Sequence, residues 1–188
     1  MMQQFQQKKA KQSTDGLKHE DVDLMMCTDL VDQSKTTALN SCSSHASLLE
    51  VLQANPDDKA LASDADQQLL LKVLFKEKVN VSAVELRFDQ PPPDGEEETY
   101  AKPRLVKLFT NRDMNFDDVE EVGASAQTLV ETAEATKARI TCGGSKFQRV
   151  ESLVVFVEEA ADPEASRSFI NRLCIIGHQA KNYHAVYG

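Results

Sequence analysis

Two stretches of this chain carry oxygen-bearing side chains at the spacing used by calcium loops, Asp64-x-Asp66 and Asp113-x-Asn115-x-Asp117. Such ligands converge on a hard cation only when a glycine turns the chain sharply at the sixth position and a bidentate Glu closes the shell. The sixth positions here are Leu69 and Asp118, and no Glu closes either loop, so no metal is expected. Gly143-Gly144-Ser145-Lys146 has the residues of a phosphate loop without its spacing. No long helix follows to offer its N-terminus, so a simple turn is expected there. His19, His45, His178 and His184 form no H-x-x-x-H or H-x-E arrangement, and no G-x-S-x-G anchors Ser-His-Asp chemistry. Acid pairs are plentiful, but they lie in polar loops without the apolar surroundings that raise a carboxylate pKa. The chain therefore reads as a non-enzyme, with no catalytic residue and no cofactor.

The four cysteines, Cys27, Cys42, Cys142 and Cys174, make no C-x-x-C pair and no zinc spacing. They read as free thiols in a reducing compartment. Cys174, inside LCII, is expected to be buried, and Cys142, before Gly143-Gly144, to be the most exposed. Asn80-Val81-Ser82 fits a glycosylation sequon that stays silent in such a compartment.

The net charge of −9 and pI near 4.9 argue against nucleic acid or an anionic membrane as the main partner. No apolar run approaches the roughly 18–20 residues of a membrane span, and the mean hydropathy is −0.41. The N-terminal stretch Met1–Gly16 has no apolar core and is not read as a secretory signal. The cytoplasm or nucleus is the expected location. The acid is concentrated at Asp94–Glu98, Asp113–Glu121 and Glu158–Glu164. These segments read either as solvated loops or as docking surfaces for basic partners.

The elements that must carry these residues are strands. Leu69–Lys76 alternates with a period of two, with Leu69, Leu71, Val73 and Phe75 on one face. Val79–Phe88 alternates too, but its phase slips, which predicts a β-bulge near Ala83-Val84. Arg104–Thr110 and Gln127–Glu131 are a third and a fourth strand. Phe147–Glu158 is apolar on both faces over Leu153–Val157, the signature of a central strand, and Phe169–Gly177 is the last. Pro91-Pro92-Pro93 marks a loop over Asp89–Glu98. A short helix is expected at Ser47–Gln53 after Ser44, stopped by Asn55–Asp58. The strands and their wide separation predict an all-β fold, a jelly-roll β-sandwich with long crossovers and little helix. Residues 1–20 are expected to be a disordered polar tail, 21–178 one domain, and 179–188 a C-terminal tail.

Three segments together resemble the PITH domain, the proteasome-interacting module found C-terminal to thioredoxin in thioredoxin-like proteins and also free-standing. Ser63–Phe75 (SDADQQLLLKVLF) is similar to the family's S-D-x-D-x-Q-L-L-x-x-x-x-F. Pro103–Glu120 (PRLVKLFTNRDMNFDDVE) is similar to P-x-x-V-K-x-F-x-N followed by M-x-F-x-D/E. Lys146–Gly177 contains KFQRVESLVVFV and FINRLCIIG, like the family's closing elements. Asp23-Leu24 and Leu39-Asn40 fit its opening, so the likeness runs from about Asp21 to His178. The family's cysteines before Leu-Asn are Thr36 and Ala38 here, and no thioredoxin domain or W-C-x-x-C is present. The resemblance implies a sandwich akin to galactose-binding-type domains and an adaptor that binds the proteasome regulatory particle; a monomer is expected.

The segment proposed to meet a partner is Arg112, Asp113, Met114, Asn115, Phe116 and Asp117. Met114 and Phe116 read either as a plug for one end of the sandwich or as an apolar anchor with a charged rim. Asp64 and Asp66 either cap turns or touch a partner. The alternative function is a module for a small ligand or carbohydrate. Its stacking residues would come from Tyr100, Tyr183 and Tyr187, since the chain has no Trp.

Overall fold

The computed structural model describes residues 21–27, 29–53, 59–93 and 99–181, which form eleven strands and two short α-helices. The expected tail at 1–20, residues 182–188 of the expected tail at 179–188, the helix stop at 55–58 and the acidic loop at 94–98 lie outside them. The architecture is built on one strand, β4 (Leu69–Arg87), 19 residues long. The sequence suggests two strands here. The chain instead bends without leaving the sheet, and its register against β9 (Val150–Ala160) slips between Leu74 and Val79.

The first half of β4 lies between β2 (Thr37–Leu39) and β9, and β9 continues to β6 (Pro103–Thr110) and the edge strand β7 (Ala126–Leu129). The second half lies between β8 (Lys137–Thr141) and β11 (Arg172–Gln179), with β1 (Val22–Asp23) outside β11. All these pairings are antiparallel, and the neighbours are distant in sequence, as the long crossovers require. A small sheet of β3 (Leu61–Ala62), β10 (Arg167–Ile170) and β5 (Tyr100–Ala101) completes the set.

The two halves of β4 turn their apolar faces onto one core. Leu69, Leu71, Val73, Leu153, Val155, Val157, Val106 and Leu108 come from one ladder. Val81, Val84, Leu86, Ile140, Leu173 and Ile175 come from the other. This is a β-sandwich closed by curling rather than by two separate sheets. The phase change along β4 is a bulge at Ser82, just before the expected position: Ile176 faces Ala83 while Gly177 faces Val81.

Four other expectations are corrected. The short helix α1 (Leu48–Leu52) is capped by Ser47, not Ser44; Ser47 and Glu50 form a reciprocal capping box. Phe147 closes a 3₁₀ turn, and β9 starts only at Val150. The run Phe169–Gly177 is two strands, separated at the buried Asn171. Its side chain bonds both the N–H and the C=O of Gln90, which turns the corner between sheets. The last strand runs to Gln179, and Ala180 is still buried.

The cysteines invert their expected exposures. Cys142 continues the inward parity of Ala138 and Ile140 on β8 and is buried; burial pushes its thiol up to about 11. Cys174 shares the outward parity of Arg172 on β11 and is half-buried. Desolvation, and then the Asp23 carboxylate, push its thiol up to about 12.

Candidate functional site

The outer face of β4, β9 and β6 is as apolar as the inner one: Leu70, Phe109, Val154 and Phe156 point outward. A sheet face of this kind must be covered, and the segment after β6 covers it. Asn111 turns out of β6 in the left-handed region, with φ of 56°, and its side chain accepts from Glu151 N. Met114 then drops onto the apolar patch and is 2% exposed. Val119, on the short α2 (Asp118–Glu121), joins it, and the half-buried Phe116 ring meets Phe156 edge-on at 6.2 Å. Burying the Met114 side chain is worth about 2–3 kcal/mol.

Asn115 fixes the backbone between these contacts. Its Oδ1 accepts from Asp117 N at 2.9 Å and Asp118 N at 3.1 Å, while Asp118 Oδ2 accepts from Asn115 N at 2.9 Å. The side-chain oxygens of the Asp113-x-Asn115-x-Asp117 spacing therefore do not converge on a cation. Asp113 instead accepts from Lys72 Nζ at 2.8 Å. Among the described residues no group of three or more His, Cys, Asp or Glu could hold a metal ion.

Beside this segment lies a hollow of about 450 Å³ lined by Lys35, Thr37, Lys72, Arg112, Asp113 and Ser152. Thr37, Lys72 and Val154 form one row across β2, β4 and β9, and Leu74 and Ser152 form part of the next. The Lys72 side chain is only 18% exposed, whereas that of Asp113 is 93% exposed. The hydrogen bond from Lys72, and then its charge, hold the Asp113 carboxyl below its ordinary value. Arg112, Asp113, Asn115 and Asp117 are exposed. Of the two apolar candidates, Met114 is the plug rather than an available anchor. It plugs the outer face of the sheet rather than the end of the sandwich.

The other motif residues hold the fold together. Asn40 donates to Gln68 O and Asp66 Oδ1 and accepts from Ala65 N, so Leu39-Asn40 clamps the Asp64–Asp66 turn. Asp66 also caps Gln68 N. Gln67 binds the carbonyls of Asp162, Pro163 and Ala165 and the N–H of Ala160, which ties down the acidic turn after β9. Thr36, at one of the family's cysteine positions, links Asp32 O to Leu74 N through its hydroxyl. The sequon residue Asn80 is engaged on both sides, donating toward His178 and accepting from Arg149 N.

A comparison with known families matches the PITH domain over residues 19–186. The chain belongs to the PITH family. A curated relative is thioredoxin-like protein 1 of Schizosaccharomyces pombe, 28% identical over 151 residues, which are 78% of this chain and 49% of that protein. The chain thus spans about half the length of that relative. Among solved structures, the C-terminal domain of a Bacteroides fragilis chitobiase superposes with a TM-score of 0.57 at 10% identity, covering 86% of this chain and 100% of that one. A Clostridium perfringens module solved with GalNAc-β-1,3-galactose gives 0.53 at 7% identity, covering 75% and 93%. These likenesses show that this PITH chain has the galactose-binding-type sandwich, and show the fold alone. Tyr100, one of the tyrosines a sugar could stack on, is 9% exposed as a residue. Its ring is packed edge-on against His45, and Arg167 lies 6.0 Å from its centroid.

Proposed function

We propose that this PITH chain is a non-catalytic protein-interaction module, an adaptor that docks on the proteasome regulatory particle through the segment Arg112–Asp117. The family resemblance supports the partner, and the thioredoxin-like relative fits a module that works alongside other domains. The observation that carries the choice of surface is local. Met114 in the apolar patch and the Asn115 cap hold this segment in one conformation, while Arg112, Asp113 and Asp117 stand exposed at its rim. A surface ordered before binding loses less entropy on docking. In this reading the protein is a monomer of the cytoplasm or nucleus. The carbohydrate-binding alternative draws on fold likeness alone.

The test is the double charge reversal Arg112→Glu with Asp117→Lys, which leaves the net charge unchanged. Both side chains are exposed, so stability should shift by no more than about 0.5 kcal/mol. Tagged parent protein should co-purify regulatory subunits of the proteasome, less so as salt rises. Loss of capture by the double variant at an unchanged melting temperature supports the segment. Undiminished capture moves the interface elsewhere.

A further inference from the structure

We propose that the hollow beside the docking segment receives a carboxylate side chain from an acidic stretch of the protein partner, and that Asp113 occupies its cation until then. The inference rests on the reading of Arg112–Asp117 as the docking surface and adds the chemistry of what is recognised there.

Three cations, Lys35, Lys72 and Arg112, and two hydroxyl residues, Thr37 and Ser152, line the hollow of about 450 Å³. This is a local reversal of sign on a chain of net charge −9. The deepest cation is Lys72, 18% exposed, whose aliphatic stem lies along the outer face of β4. That a carboxylate suits the place is visible directly, because Asp113 Oδ1 lies 2.8 Å from Lys72 Nζ. Asp113 is nevertheless 93% exposed. An ion pair with one partner almost wholly in water contributes little and exchanges readily. An incoming Glu or Asp replaces one carboxylate by another and leaves Lys72 paired throughout. Arg112, at the rim, forms no ion pair with a described residue within 4.0 Å and can hold the second carboxylate oxygen.

A larger hollow, about 550 Å³, on the outer face of β8, β4 and β11 holds Arg87, Lys137, Arg139 and Arg172. Three of its four cations are paired within the fold. Arg172 donates to Asp23 at 2.6 Å, with both side chains under 20% exposed, and also to the carbonyls of Val51 and Leu52. Arg139 pairs with Glu85, and Arg87 with Asp89. Exchange at Arg172, the least exposed of them, would break a pair in which both side chains are largely buried. At Asp113 it breaks a solvent-exposed one.

The probe is a fluorescein-labelled hexaglutamate peptide titrated into the full chain by fluorescence anisotropy, with hexaglutamine as the neutral control. The parent should bind hexaglutamate saturably and more weakly as salt rises. Asp113→Asn removes the competing carboxylate and should tighten binding by roughly three- to fivefold, the ratio expected for one exposed ion pair. Lys72→Gln should weaken binding by at least as much. The pair Lys137→Gln with Arg139→Gln, in the other hollow, should leave it unchanged. Removing an exposed carboxylate cannot unfold the protein, so Asp113→Asn decides even if Lys72→Gln is unstable.

Asp113→Asn binding no tighter than the parent overturns the inference, as does equal weakening by the Lys137 and Arg139 pair. Displacement of the peptide by inorganic phosphate as effectively as by free hexaglutamate overturns the carboxylate assignment. If Arg112→Glu with Asp117→Lys abolishes proteasome capture while Asp113→Asn fails to tighten the peptide, the docking surface stands and this inference falls. If the peptide tightens while capture survives, the carboxylate site stands and the docking surface falls.

Discussion

Gly177→Ala should be among the most damaging single-methyl changes in this protein. Gly177 sits on β11 opposite the Ser82 bulge of β4. A Cβ placed there would lie 2.0 Å from the Asn80 carbonyl oxygen, 3.0 Å from its carbon and 3.1 Å from Val81 Cα. A contact under 3.0 Å is not tolerated, so the strands must part by roughly 1 Å or more at this point. The obstructing atoms are backbone and cannot rotate away. Asn80 also holds Arg149 N and His178 through its side chain, so its displacement spreads to the turn before β9 and to β11. Overpacking costs about 1–3 kcal/mol where side chains can adjust, and a backbone collision belongs at the upper end. The reduced entropy of the unfolded chain returns about 0.4–1 kcal/mol. The net loss is about 2–3 kcal/mol, or roughly 5–10 °C in Tm for a domain of this size. Thermal unfolding followed by circular dichroism measures it, with Gly123→Ala and Gly143→Ala as controls, since neither added Cβ meets an atom within 4 Å. A Gly177→Ala melt within about 1 °C of the parent, or an equal drop in both controls, would refute the reasoning.

Val155→Asp places an unpaired charge on a fully buried position of β9 and costs several kcal/mol of a total near 5–15 kcal/mol, so the variant should lack a cooperative melt; a parent-like melt would show that β9 is not central. Cys142 and Cys174, with thiols raised to about 11 and 12, should resist iodoacetamide near neutral pH in the folded chain and react once urea unfolds it; peptide mass spectrometry reads both states. Because folding raises these thiols, their contribution to stability is complete below the ordinary thiol value of about 8.5 and declines as pH climbs from there toward 11, which urea midpoints at increasing pH would register. Asp21 behaves oppositely: the hydrogen bond with His178, and then that from Ser82, hold its carboxyl down. Its contribution is present above the ordinary carboxylate value of about 3.9 and is lost as pH falls through the lower folded value. Asp21→Asn should therefore reduce stability at neutral pH and flatten the acid limb of the urea midpoint, and an unchanged acid limb would remove Asp21 from the account.

Local alternation made much of the scaffold legible. Leu69–Phe75, Arg104–Thr110 and Leu153–Val157 announce strands, and the two apolar faces of Leu153–Val157 already require that both be covered. Lys137–Thr141 carries the same signal, with Ala138 and Ile140 turned inward, and it could have been found by counting every second residue. That parity, carried one step further, also buries Cys142. The break at Asn171 left no such trace, because its cause is a pair of bonds to Gln90, 81 residues away in sequence.

The site divides in the same way. Composition and motif spacing offer no catalytic template, and the segment Arg112–Asp117 sets two large apolar residues among charges. Only the tertiary structure decided what they do. Met114 is internal because the outer face of β9 happens to lie beneath it. Asp113 meets Lys72, 41 residues away, because β4 runs beside β9 and places that lysine next to the turn that leaves β6. A period of two says which residues share a face. Which faces meet depends on pairing between strands far apart in the chain, and that is settled only when the whole core is buried at once.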